Sequence, residues 1–223
     1  MEDFLYDAII FDFDGVLVQS IDIKAAAFAA IYAPYGQEIV NKVVQYHHTH
    51  GGVSRYEKFK HFHNNLLGFS LSTEEMNNLD KQFSQCVMQK VINAPEIAGA
   101  NAFLGYFSGL IACHVISATP HFELVDIIKM RNLSSYFISV HGAPEKKVDS
   151  INKIILDRGY EKKKVLMIGD ALSDYHAAEA AHIKFLGVIT HEMIFPDHVC
   201  VINDLTGLKE LISGSVIHGD DGY

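Results

Sequence analysis

FDFDGVLVQS, residues 11–20, places two carboxylates, Asp12 and Asp14, one residue apart directly after the apolar run Ala8-Ile9-Ile10. Two further acids, Asp170 and Asp174, stand four apart in VLMIGDALSD. Between them HVISATP carries Ser117 and Thr119, and GAPEKKVDSI carries Lys146 and Lys147. Ligands of open α/β sheets bind beyond the carboxyl ends of the strands, where these groups would meet. Up to four carboxylates around one crevice repel, and one must take a proton unless a cation is present. Oxygen donors without a paired His or Cys select a hard ion, which points to Mg²⁺. A lysine beside them would offset a carboxylate nucleophile and hold a phosphate. An activated carboxylate, a second acid/base group and a cation are the parts that phosphoryl transfer needs.

The elements that must position these residues follow from hydrophobic patterning. Tyr6–Phe11, Ile111–Ile116, Phe137–Val140, Val165–Ile168, Phe185–Ile189 and Val199–Ile202 are short apolar runs. Continuous rather than alternating hydrophobicity marks parallel strands covered on both faces. Thr119-Pro120 reads as the N-cap and first residue of a helix running through Met130. A second helix runs from about Asp149 to Arg158 and stops at Gly159. A third contains HAAEAA, with Asp174 in its first turn. Residues 20–93 break the rhythm: the spacing predicts helices over 21–33, 37–50, 55–67 and 73–92, the last opened by Ser72 and Glu75 at capping-box spacing. One strand, then a helical block, then the rest of the sheet predicts a doubly wound α/β core with an inserted all-helical cap. The expected division is 1–18 and 95–213 for the core, 19–94 for the cap, and 214–223 as a fraying tail, with hinges near Val18–Ser20 and Asn93–Glu96.

The chain has 223 residues, 49% of them hydrophobic, enough to bury a sizeable core. Its net charge of −9 argues against nucleic acid or an anionic membrane surface as partner. Cys86, Cys113 and Cys200 are odd in number and far apart, which fits free thiols in a reducing cytoplasm. The acidic MEDFLYDAII lacks the basic start of a signal peptide, and no apolar run reaches the roughly 18 residues of a membrane span.

FDFDGV, ISAT, K-V-D and GDALSD, in that order over residues 11–174, resemble the four motifs of the haloacid dehalogenase superfamily. The likeness is to its subfamily with a helical C1 cap, the group of phosphoglycolate phosphatases and β-phosphoglucomutases. That resemblance implies Asp12 as a nucleophile forming an aspartyl-phosphate and Asp14 as general acid/base. It implies Ser117 as a hydrogen-bond donor to the phosphoryl oxygens, and Mg²⁺ held by Asp12, the Asp14 backbone, Asp170 and Asp174. A lysine of the third motif would bridge Asp12 and phosphate. Relatives often carry Lys-Pro where this chain has Lys146-Lys147-Val148; helix periodicity, with Lys147 four residues before Ile151, favours Lys147 over Lys146. Dehalogenases generally lack the second Asp, because a halide needs no proton, so Asp14 favours phosphoryl transfer.

Gly52-Val53-Ser54-Arg55 resembles the cap loop in which an arginine holds a substrate's non-reacting phosphate. Gly52 would admit the backbone close to the ligand, and Ser54 equally reads as a helix N-cap. Lys24 stands where the mutase group has a histidine beside the sugar; Arg55, Gly52, Lys24 and Thr119 are the substrate-binding candidates. His47, His48, His50, His61 and His63 lack the companion ligands of a transition-metal site and read as surface or cleft-lining groups. Phe59, Phe62, Leu66 and Leu67 have the spacing of a cap core. The expected activity is Mg²⁺-dependent hydrolysis of a small phosphorylated metabolite, a sugar phosphate or a phosphoglycolate-like acid, by a monomer or homodimer. A hexose phosphomutase and a non-catalytic module of the same fold are the alternatives.

Overall fold

Ala8-Ile9-Ile10-Phe11 forms the central strand β1, all four residues buried. Ile9 and Phe11 face one apolar cluster and Ala8 and Ile10 another, because successive side chains of a strand point to opposite faces. Two covered faces leave no position for a polar alternation. The structure, a computed structural model, describes residues 4–190 and 195–213. The remaining strands are β2 (Ala112–Pro120), β3 (Ser139–Ala143), β4 (Val165–Gly169), β5 (Lys184–Val188) and β6 (Val201–Ile202). They pair in parallel in the order β3-β2-β1-β4-β5-β6. Helices α5 (Ala100–Phe107), α6 (His121–Met130), α7 (Lys147–Arg158), α8 (Leu172–Ala181) and α9 (Leu208–Ile212) complete the α/β part, so the expected parallel sheet with surrounding helices is present.

Between β1 and α5 the chain makes four α-helices: α1 (Ile21–Tyr32), α2 (Gln37–Thr49), α3 (Arg55–His61), which continues as a wider turn over Phe62–Leu67, and α4 (Thr73–Asn93). Their common core is aromatic: the Phe28 ring lies 4.4 Å from Phe83 and 5.6 Å from both Phe59 and Phe62. Ser72 and Glu75 form the capping box of α4 and Ser54 caps α3. The two connections to the sheet run side by side, with Gln19 N–H donating to Pro95 O and Ile97 N–H to Leu17 O, both at 3.0 Å. Arg131, just past α6, donates to the Val91, Ile92 and Ala94 carbonyls at 2.7–2.9 Å and so satisfies the open C-terminal end of α4.

Two local expectations change. β2 extends past Ile116 to Pro120, slipping register between Ser117 and Pro120. The helix that follows begins at His121 with Pro120 in the cap position, and Thr119 makes no capping bond. Its hydroxyl is engaged by Asp14 and Lys24 instead. Helix α7 starts at Lys147, two residues before the expected Asp149, and ends at Gly159, whose φ of +69° closes it. The tail at 214–223 lies outside the described residues. Among the described residues no helix is long and apolar enough to cross a membrane.

Candidate active site

Strand β1 is flanked by β2 on one side and β4 on the other, and the chain order reverses there. The crevice at that switch is where a doubly wound sheet binds ligands. Asp12 follows β1 at once, its N–H donating to Ile168 O at 2.8 Å. Asp170 follows β4, and Asp174 sits in the first turn of α8. One carboxylate oxygen from each of the three lies within 4.8 Å of the others, and all three residues are buried. Gly15, at φ +80°, makes that approach possible, since a Cβ there would fall 2.3 Å from Asp170 Oδ2.

Lys147, the first residue of α7, supplies the fixed charge. Its Nζ lies 3.0 Å from Asp12 Oδ1 and hydrogen-bonds Asp174 Oδ1. Lys146 stands exposed in the cap position of α7 without a side-chain capping bond. Of the two lysines, the fold brings Lys147 to the carboxylates. One ammonium does not balance three carboxylates. Burial pushes the Asp12 carboxyl up to about 7, with Asp174 and Asp14 adding to the rise and Lys147 opposing it. Burial, then the charges of Asp12 and Asp174, drives Asp170 well above the carboxylate range, although Thr190 donates to its Oδ2 at 3.0 Å. Buried oxygen donors with surplus negative charge fit a hard divalent cation.

Asp14 is held in the opposite way. Burial favours its neutral form, but Lys24 Nζ at 2.5 Å, Ser20 Oγ at 2.6 Å and Thr119 Oγ1 at 3.0 Å outweigh it and hold the carboxyl well below the usual range. Ser117 Oγ also donates to Asp14, at 3.2 Å, and Lys24 donates to Thr119 Oγ1 at 2.8 Å. Two acids one residue apart therefore belong to two different cations, Lys147 for Asp12 and Lys24 for Asp14.

The helical block closes over this centre. Gly52, at φ +69°, sits where a Cβ would lie 2.0 Å from Ser173 Oγ and 3.3 Å from Lys147 Nζ. Ser173 Oγ donates to Gly51 O at 3.0 Å, so the Gly-Gly loop touches α8 beside the carboxylates. One cavity joins Asp12, Asp14 and Asp170 at the sheet end to Lys24, Arg55 and Lys58 from the helices.

Arg55 lines that cavity, but its guanidinium is already engaged. It pairs with Glu123 of α6, donates to Asp80 Oδ1 at 3.3 Å and to Ser84 Oγ at 2.7 Å, and lies 4.6 Å over the Phe83 ring. Ser84 also donates to Glu123 Oε2 at 2.6 Å, so the network ties α3 and α4 to α6. Removing the charge of Glu123 leaves a buried guanidinium with only the partly exposed Asp80. Glu123→Gln is expected to lower unfolding free energy by about 2 kcal/mol in urea melts, whereas a surface pair would give about 0.5 kcal/mol or less.

Sequence reasoning missed Lys58, Ser20 and Thr190. Arg55, Lys58, Phe59 and Phe62 share the i, i+3, i+4, i+7 spacing of one buried face, and that stripe carries the signal for Lys58. Thr190 had no local signal, because β4 and β5 bring it to Asp170 from 20 residues away. The histidines separate. His47 is buried, whereas His50 and His61 stack on Tyr46 at 3.7 and 3.9 Å. None joins a metal-binding group among the described residues.

Residues 9–188 match the family model of haloacid dehalogenase-like hydrolases. No curated protein sequence matches. Similar solved structures include a predicted phosphoglycolate phosphatase from Haemophilus somnus, at 16% identity and TM-score 0.73, covering 93% of this chain and 98% of the other. A candidate β-phosphoglucomutase from Thermotoga maritima has 19% identity and TM-score 0.67 over 93% and 99% of the two chains. A candidate hydrolase of the same superfamily from Bacillus subtilis, solved bound to magnesium, has 14% identity and TM-score 0.71 over 93% and 98%. At these identities the structures speak for the fold, while the family match spans most of the sequence and takes in the four acids and Lys147: the chain belongs to the haloacid dehalogenase-like hydrolase family.

Proposed function

We propose that the protein is a Mg²⁺-dependent phosphatase that hydrolyses a small phosphorylated metabolite through a phospho-aspartate on Asp12, with the helical block acting as a cap over the site. The carrying observation is the pairing of Asp12 with Lys147 beside Asp170 and Asp174, next to a second carboxylate, Asp14, that has its own cation.

In this reading an Asp12 oxygen attacks phosphorus and the bond to the leaving oxygen breaks. Lys147 and the Ser117 hydroxyl hold the phosphoryl oxygens as charge builds on them. A bound Mg²⁺ would offset the charge of Asp12, Asp170 and Asp174 and of the transferring group. Asp14 lies between acid and base duty. Its ionised form is ready to take a proton from the water that splits the phospho-aspartate. For the first step it delivers a proton to the leaving oxygen and regains one from the attacking water, so the two steps balance, with the Lys24 ion pair at 2.5 Å keeping the carboxyl in place. A halide leaving group would need no such proton. Ser20, Lys24, Ser117 and Thr119 together position Asp14, which argues for an oxygen leaving group and against a retired site.

The test is release of inorganic phosphate from an aryl phosphate and a panel of phosphorylated metabolites, with Mg²⁺ and with EDTA. Turnover is expected to fall at least about 100-fold in EDTA. Equal rates in EDTA would sink the metal-dependent mechanism. Isomerised sugar phosphate with little free phosphate would identify a mutase.

A further inference from the structure

Lys58 is a buried ammonium group that the reaction above does not use. It is 3% exposed, projects from α3 into the cavity, and has no carboxylate within ion-pair distance among the described residues. Its hydrogen-bond partner is His47 Nδ1 at 2.9 Å. The other ring nitrogen, Nε2, lies 3.2 Å from the Ile21 carbonyl, which only an N–H can satisfy. His47 is thereby fixed with its proton on Nε2, and Nδ1 accepts from Lys58. One Lys58 donor is taken and the others remain for a ligand. The Phe28 ring, 5.9 Å from Nζ, lines the same cavity.

Burial without a counter-charge is costly to a lysine. It pulls the Lys58 amine down to about 7, with Lys24 and Lys147 lowering it further and Asp14 and Asp170 opposing. Such an amine gains most when an anion arrives and restores its charge. Lys58 lines the same cavity as Asp12, Asp14 and Asp170, so it faces the part of a substrate that lies beyond the phosphoryl group. Of the other two cations that the helices bring to the cavity, Arg55 is neutralised by Glu123 and Asp80, and Lys24 by Asp14.

We propose that Lys58, oriented by His47, is the specificity-determining cation of this site and receives a carboxylate on the leaving-group half of a phosphoester substrate. The assignment rests on the phosphatase reading and names its substrate class. A polyol tail would leave the ammonium in an apolar wall without an anion, whereas a carboxylate pairs with it and is shielded from water there.

The experiment compares 2-phosphoglycolate with ethyl phosphate, which share the phosphoryl group and differ in the tail charge. Both turnover with Mg²⁺ and binding by calorimetry without it are measured, for wild type, Lys58→Met and Lys58→Gln. The wild type is expected to favour 2-phosphoglycolate by about 100-fold in kcat/KM and in affinity, and both variants to lose that preference while handling ethyl phosphate within about threefold. Two uncharged replacements of different polarity guard against a packing defect in one of them. An unchanged preference in folded variants, or an equal loss on both compounds, overturns the assignment and leaves the phosphatase reading standing. Preferential binding that Lys58→Met abolishes, without hydrolysis of either compound, supports the anion pocket and rejects the phosphatase reading. A wild type without preference in either measurement overturns the assignment outright.

Discussion

Asp12→Asn is expected to reduce phosphate release by at least about 10⁴-fold while leaving the protein folded. The amide keeps the shape of the carboxylate and loses the nucleophile, and no neighbouring acid can replace it. Asp14 is held by Lys24, Ser20 and Thr119, and Asp170 and Asp174 emerge from β4 and α8. The same substitution should raise stability in EDTA. A carboxyl whose folded pKa exceeds its unfolded value favours folding in acid, and that contribution is lost as pH rises from about 4 to the folded value of about 7. The gain in melting temperature from Asp12→Asn should therefore be present at pH 8 and absent at pH 4. Wild-type turnover in the variant would remove Asp12 from the chemistry; a stability gain that is the same at pH 4 and pH 8 would remove the electrostatic argument.

Lys147→Met should damage both stability and activity, because one ammonium serves two functions. It pairs with Asp12 and Asp174 in a region nearly closed to water, and in turnover it would hold a phosphoryl oxygen. Breaking a buried ion pair by removing one partner costs about 3–5 kcal/mol, since the stranded charges remain. Activity is expected to fall about 10³-fold even where the variant is folded. Without Lys147 the carboxyl of Asp12, already raised, moves further up. Its contribution, present in acid, is then lost over a window that extends above pH 7. The stability gap between wild type and Lys147→Met should widen from pH 5 to pH 8 in EDTA and narrow when Mg²⁺ is added. Thermal melts at the two pH values read this directly. A gap independent of both pH and Mg²⁺ would mean that Lys147 acts through packing alone.

The sheet and its helical interruption were legible because they rest on local rules. A strand covered on both faces must be apolar throughout, as Ala8–Phe11 and Val165–Ile168 are, and capping groups such as Ser54 and the Ser72–Glu75 pair declare helix starts within four residues. The acids were legible for the same reason, since Asp12, Asp14 and Asp170 follow recognisable strands, Asp174 opens the next helix, and strand ends converge in a parallel sheet. The Thr119 reading failed because local preference favoured a helix cap, whereas a buried Asp14 and Lys24 needed its hydroxyl more. Arg55 lines the predicted cavity with its charge already matched by Glu123, 68 residues away, and no local pattern reports such a partner.

By itself, then, the sequence determined which residue types stand at the strand ends and the order in which the chain visits them. Those are properties of short segments, set by backbone sterics and side-chain hydrophobicity. Lys147 beside Asp12 was already expected; the tertiary structure alone decided the other partners: Asp174 for the same lysine, Lys24 for Asp14, Glu123 for Arg55, and only a histidine for Lys58. Charge pairing in a buried cavity depends on distance and desolvation across segments far apart in the chain, and those quantities come into being only when the helical block and the sheet are packed together.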